Sequence, residues 1–182
     1  MASLDDSAIM ADLAAGDRGA LRVLYERHAE FVHRVAYRFL GNEDDARDIT
    51  QSVFLTIMKS AHRYRPEAKL TTWIYRVVVN RCLNHRAKAG RRLRVRLGER
   101  DFEAIPAADE NRPDRIAERA ERAAILQAVI RALPERQRMA LILSRFEGQN
   151  YEEIASVLGC TKKSVESLLV RAKKTLAKSF SK

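Results

Sequence analysis

Between Arg63 and Arg86 the chain reads RYRPEAKLTTWIYRVVVNRCLNHR, a turn-prone aromatic and basic segment that runs into an apolar-striped helix. From Lys69 through Gly98 there is no carboxylate, whereas Lys69, Arg76, Arg81, Arg86, Lys88, Arg91, Arg92, Arg94 and Arg96 are all cationic. A one-sided row of this kind can follow a phosphate backbone, and Tyr64, Trp73 and Tyr75 beside it can stack on an opened base. Arg76, Asn80 and Asn84 recur at every fourth position and so share one line along a helix. Arginine and asparagine are also the side chains that read base edges through pairs of hydrogen bonds. A solvated basic face over an ordinary core tryptophan has the same composition, so the remaining elements decide between the two.

The composition points to a polyanionic partner. The 182 residues carry a formal net charge of +10, with 46% hydrophobic residues, enough for one compact domain or two small ones. No stretch approaches the roughly 20 apolar residues of a spanning helix, and the start, MASLDDSAIMADLAAGD, lacks the basic opening and apolar run of a signal peptide. A cytoplasmic protein with no membrane insertion of its own is expected. Cys82 and Cys160 are isolated from any second ligand at metal spacing and read as small buried thiols. No acidic metal cluster, Cys/His site or phosphate-binding glycine loop is present in the sequence, so no catalytic residue, metal or cofactor is expected and the chain is read as a non-enzyme.

The elements that must position these groups are helical throughout. Seven glycines and four prolines punctuate the chain, and no stretch alternates as a half-buried strand does. A first helix runs from about Asp6 to Gly16. Asp17 caps a second, whose Leu21, Leu24, Tyr25, His28, Phe31, Val32, Val35, Ala36 and Phe39 form a broad apolar face closed by Gly41. Asn42 opens a third, with Glu43, Asp44, Asp45 and Asp48 near the positive end of its dipole. Its inner stripe is Ala46, Ile49, Val53, Phe54, Ile57 and Met58, leaving Asp45, Asp48, Gln51 and Ser52 outward. An acidic, amide-bearing face on a basic protein suits docking to a basic protein partner. Pro66 breaks the chain, and Thr71 or Thr72 is expected to cap the helix built on Leu70, Trp73, Ile74, Val77, Val78 and Cys82.

After Arg96 the character changes. GERDFEAIPAADENRPD is acidic, contains two prolines and has no periodicity, and reads as a flexible linker. The fold class is therefore all-α: two small helical domains, 1–96 and 115–182, joined by the linker 97–114. The second domain begins with Ile116, Ala120, Ala123, Ala124, Leu126, Gln127, Ile130 and Leu133, then Pro134 starts a helix that Gly148 ends. Asn150 caps YEEIASVLG, Gly159 turns the chain and Thr161 caps KKSVESLLVRAKKTLAK. Helix, glycine turn and second helix make a helix-turn-helix, with Lys162, Lys163, Ser164, Glu166, Ser167, Arg171 and Lys174 as the groups its second helix can offer a major groove. An amphipathic hairpin with a basic tail is the plainer reading.

Two stretches, DARDITQSVFLTIMKSAHRYRPEAKLTTWIYRVVVNRCLNHR and LPERQRMALILSRFEGQNYEEIASVLGCTKKSVESLLVRAKKTL, resemble the two domains of bacterial extracytoplasmic-function (ECF, group 4) sigma factors of the sigma-70 family. The resemblance is carried by Asp45-Ala46-x-Asp48-x-x-Gln51 with Phe54, Trp73 followed by Asn80, Leu133-Pro134, Tyr151-x-Glu153-Ile154-Ala155, and Ser164-Val165 with Ser167 and Arg171. It implies an alternative sigma factor that gives RNA polymerase core its promoter specificity. Asp45, Asp48, Gln51 and Phe54 would dock on the clamp of the largest subunit. Arg63, Tyr64, Lys69, Trp73, Arg76, Asn80, Arg81 and Asn84 would capture and hold the opened −10 strand. The last helix would read the −35 duplex of promoter DNA, and apolar surface of the C-terminal domain would bind the flap of the second-largest subunit. Control would fall to a separate anti-sigma factor. At Glu166 and Leu168 the chain departs from the basic residues usual in the family, and at Val79 and Asn84 from a common basic and a common acidic residue. The rival reading is a helix-turn-helix regulator of duplex DNA that is not a polymerase subunit and has no need of an acidic docking face or a stacking loop.

Overall fold

The computed structural model describes residues 5–65, 69–97 and 125–180. Pro66, all of the acidic segment beyond residue 97, and the expected helix positions Ile116, Ala120, Ala123 and Ala124 lie outside the described residues, as do the side chains of Arg91, Arg92, Arg94 and Arg96. The described residues form helices, with no strand among them. They are α1 (Asp6–Ala14), α2 (Arg18–Leu40), α3 (Glu43–Ser60), a 3-10 turn (Ala61–Arg63), α4 (Leu70–Leu97), α5 (125–132), α6 (Glu135–Arg145), α7 (Tyr151–Leu158) and α8 (Lys162–Phe180).

Local chemistry sets most of the boundaries. The Asp17 carboxylate accepts from the Gly19 N–H at 2.7 Å to start α2, and the Asn42 amide oxygen accepts from the Asp45 N–H at 2.9 Å to start α3. Between these two helices Gly41 adopts φ +71°, and a Cβ there would also fall onto the Arg131 guanidinium of α5. The start of α4 differs from expectation: the Lys69 carbonyl accepts from the Trp73 N–H, so Thr71 and Thr72 lie inside the first turn instead of capping it. Pro134 immediately precedes α6 as its cap, one residue earlier than the first-turn position expected of it.

Helices α1 to α4 pack around Leu24, Val32, Val35, Phe39, Ile57, Ile74 and Val78, all fully buried. Cys82 belongs to this core, and burial pushes its thiol up to about 12. Cys160 is only half-buried, contrary to the expectation of two buried thiols, because it lies in the turn after Gly159. Helices α6 to α8 pack around Met139, Ile142, Leu143, Ile154, Val165 and Leu169. The two halves do not remain apart: α4 lies against α7 and α2 against α6, and the larger apolar core runs continuously through both.

Candidate nucleic-acid and protein interfaces

The basic face of α4 rises from a helix packed on two sides. Leu70, Ile74, Val78 and Cys82 are buried, as expected, but so are Tyr75 and Val79; the Tyr75 ring lies 4.9 Å from that of Phe31 on α2, a long-range contact that no local pattern reveals. Tyr75 is 6% exposed, so in this arrangement its ring is covered and not offered to a base as the sequence suggested. Its hydroxyl donates to the Glu147 carboxylate at 3.2 Å, and burial first, then that carboxylate, raise its pKa far above the phenol range. Tyr64 and Trp73 do come together, rings edge to face at 5.9 Å, each half-buried against the core. Arg63 and Lys69 flank this pair and are exposed.

Asn80 and Asn84 are exposed on α4 one and two turns beyond Arg76, as their spacing requires. The arginines are already engaged. Arg76 donates to the Ser156 carbonyl at 2.9 Å and to its hydroxyl at 2.6 Å, both on α7. Arg81 turns to α3 and donates to the Thr56 hydroxyl. Lys69 faces Glu153 at 3.3 Å. Of the eight residues expected to serve the opened strand, Tyr64 and Trp73 form one cluster and Asn80 and Asn84 one exposed line. Arg81 is held toward α3, and Lys69 and Arg76 toward the C-terminal half.

On α3, Asp48 and Gln51 are exposed, while Asp45 is half-buried with the His85 Nε2 of α4 at 3.5 Å. Phe54 corrects the expectation. It is 4% exposed, its ring 4.8 Å from that of Tyr25, so it supports this face from beneath instead of touching a partner. The apolar groups that the face presents are Leu55 and Met58, the first 53% exposed. Met58, expected inward from its spacing, is 37% exposed; the buried stripe is Ala46, Ile49, Thr50, Val53, Phe54 and Ile57.

The C-terminal helix-turn-helix is built as expected. The Asn150 side chain accepts from the Glu152 and Glu153 N–H groups, and the Glu153 carboxylate accepts from the Asn150 N–H, completing a capping box. That backbone bond, and secondarily Lys69, hold the Glu153 carboxyl below the usual glutamate range. Gly159 turns at φ +61°, and the Thr161 hydroxyl accepts from the Ser164 N–H to open α8. Lys162, Lys163, Ser164, Glu166, Ser167, Arg171 and Lys174 are all exposed on α8. Lys162 pairs with Glu152 at 2.7 Å, which ties the start of α8 back to α7. Val170, 60% exposed among these polar groups, is an apolar member of the same surface that sequence patterning did not single out.

This assembly has relatives. Residues 24–92 match the model for sigma-70 region 2, and residues 123–176 match that for sigma-70 region 4. The RNA polymerase sigma-H factor of Pseudomonas aeruginosa is 30% identical over 180 residues, covering 96% of this chain and 93% of the relative. The ECF RNA polymerase sigma factor SigE of Mycolicibacterium smegmatis is 35% identical over 166 residues, 90% of this chain but 63% of the relative. Among solved structures, CnrH in complex with the cytosolic domain of CnrY shares the fold at TM-score 0.68 and 22% identity, over 97% of each chain. The sigma factor RpoE of Bartonella quintana, in complex with the anti-sigma factor NepR, does so at TM-score 0.67 and 20% identity, over 86% of this chain and 94% of that one. The ECF RNA polymerase sigma factor SigM of Mycobacterium tuberculosis is likewise 30% identical over 95% of this chain and 83% of the relative, and the chain belongs to the ECF sigma factors of the sigma-70 family. It is an alternative sigma factor, an initiation subunit that binds RNA polymerase and promoter DNA and is not an enzyme.

Proposed function

We propose that this sigma factor divides its work between two faces. The α4 face, with Arg63, Tyr64, Lys69, Trp73, Arg76, Asn80, Arg81 and Asn84, captures the opened −10 strand. The α8 face, with Lys162, Lys163, Ser164, Glu166, Ser167, Arg171 and Lys174, reads the −35 duplex. The observation that carries the reading is the line of exposed asparagines on a carboxylate-free helix, set beside the Tyr64–Trp73 pair. Asparagine supplies paired donor and acceptor to a base edge, and the aromatic pair supplies an apolar wall against which an extruded base can rest. Unstacking a base costs a few kcal/mol, which stacking and charge contacts must offset.

Asp45, Asp48 and Gln51, with Leu55 and Met58, form the face for the polymerase clamp, and Phe54 fixes it from inside. Apolar surface of the C-terminal half serves the flap. The domains are 1–96 and 115–182 with 97–114 as the joining segment; the region matches, 24–92 and 123–176, are compatible with that division. The protein acts in the cytoplasm and is controlled by an anti-sigma factor, a reading supported by the sigma and anti-sigma complex of Bartonella quintana. Among the described residues no helix is long and apolar enough to cross a membrane.

The test is run-off transcription by core polymerase with the purified chain on a template carrying both promoter elements. A transcript that depends on the chain and on both elements is expected. Tight duplex binding without polymerase and no transcript would favour the duplex-only regulator instead.

A further inference from the structure

The contact between the two halves is centred on a carboxylate that has no business being buried unless it is paired. The Glu147 side chain, in the turn after α6, is 2% exposed. It accepts from the Arg34 Nε at 3.3 Å and Nη2 at 3.1 Å, from the Arg38 Nη1 at 3.1 Å and from the Tyr75 hydroxyl at 3.2 Å. All of these donors belong to the N-terminal half, on α2 and α4. A forked guanidinium bond of this kind, with a second arginine and a phenol completing the shell, is strong and directional. Breaking it inside the joint by deleting one side strands the other charge.

Further contacts cross the same joint. Arg138 of α6 is buried, with its guanidinium over the Phe39 ring at 5.2 Å. It donates to the Phe39 carbonyl at 2.9 Å, near the end of α2, and to the Leu133 and Arg131 carbonyls at the end of α5. Helix ends supply negative partial charge and unpaired carbonyls, which suit a buried cation. Burial, and secondarily Arg86, lower the Arg138 pKa to about 10, so it remains charged at neutral pH. The Gln127 amide donates to the Arg38 carbonyl at 2.9 Å, and Arg86 faces Glu135 at 3.8 Å.

The joint also occupies part of the strand-holding face. Arg76 commits its Nε and one terminal nitrogen to Ser156 of α7 while staying exposed, so in the closed form only part of its guanidinium is left for a phosphate. Lys69 is likewise partly neutralised by Glu153. We propose that the free sigma factor is held closed by a latch in which Arg34, Arg38 and Tyr75 grip Glu147, and that the closed form withholds the Arg76 side of α4 from DNA until the halves part. The masking rests on the proposed role of α4 in strand binding; the latch itself does not. On separation Glu147 and the arginines return to water, and Arg34 keeps Glu30 at 3.4 Å, so no charge is left buried and alone.

The latch is opened by Arg34→Glu with Arg38→Glu in the full chain, which sets acids against Glu147 and lowers the net charge. Generic electrostatics then weakens binding to a single-stranded −10 oligonucleotide, whereas the latch strengthens it. A chain closed nine times in ten binds about tenfold more weakly than its open form. We expect up to about that gain in affinity, with a larger radius of gyration in small-angle scattering. Adding Glu147→Arg restores the pairing with reversed charges and returns both readings toward the original. Equal radii, or a gain in radius that Glu147→Arg does not reverse, would overturn the latch. An enlarged radius with weaker or unchanged strand binding, in a chain that does bind the strand, would overturn the masking. If neither chain binds the strand while the radius still responds, the strand-holding role of α4 fails and takes the masking with it, but not the latch.

Discussion

His28 shows how one side chain of α2 ties stability to pH. It is buried, its Nε2 finds no hydrogen-bond partner among the described residues, and its ring lies edge-on to Phe31 at 5.6 Å. Burial lowers its pKa below 6.5, with Asp6 opposing and Arg27 adding to the shift. The native state thus binds a proton less readily than the unfolded chain. Stability falls as pH drops through the ordinary histidine range and levels off only below the depressed native value. His28→Leu is expected to flatten this limb between about pH 7 and 5, as read by urea midpoints at each pH. An unchanged limb would assign it to other groups. The sequence placed His28 on the broad apolar face of the second helix, and that much was legible. Glu147 was not singled out, because a lone acid before a glycine has the same local pattern whether water or two distant arginines surround it.

At the scale of the element, α4 carries the sharpest contrast. Asn80 is exposed and has a solvent-facing position on a well-packed helix, so Asn80→Ala leaves thermal stability within about 0.5 kcal/mol of the parent. The same change is expected to weaken open-complex formation while core-polymerase binding is retained, measured by permanganate reactivity and by holoenzyme assembly. Trp73 is half-buried against the core and edge-on to Tyr64, so Trp73→Ala costs stability as well, though less than the about 3–5 kcal/mol of a fully buried ring. Its loss in opening should exceed its loss in core binding; equal losses would assign it to the fold alone. Capping residues made most helix boundaries readable, notably Asn42, Asn150, Gly41 and Gly159. The start of α4 was misread because two threonines mimic a cap when the backbone of Lys69 already supplies the first carbonyl. Tyr75 was misread as well, for a different reason: it is covered by Phe31 of α2 and by Glu147, 72 residues away in sequence.

For the whole molecule, two region matches and a continuous core describe one closed body. Two independent modules would melt separately, whereas halves sharing a core are coupled through it. A single calorimetric transition is expected for the parent chain, splitting into two when Arg34→Glu and Arg38→Glu are combined. Two transitions in the parent would show that the shared core contributes little. The two-module organisation was visible in the order of the motifs and the acidic stretch between them. Their docking was not, since it depends on side chains such as Arg34, Arg38 and Arg138 that local patterning treats as ordinary surface cations.

The capping box of α7 has a consequence for how such a body can move. Its bonds run between Asn150 and Glu153, within one turn, and the Arg136 guanidinium that accompanies the far end of α7 by donating to the Leu158 carbonyl also comes from the same half. None of this scaffolding belongs to the partner half. Rupture of the Ser156 and Glu153 contacts with α4 therefore costs the helix-turn-helix no internal bond, so the opening proposed above would leave the mutual geometry of α7 and α8 intact.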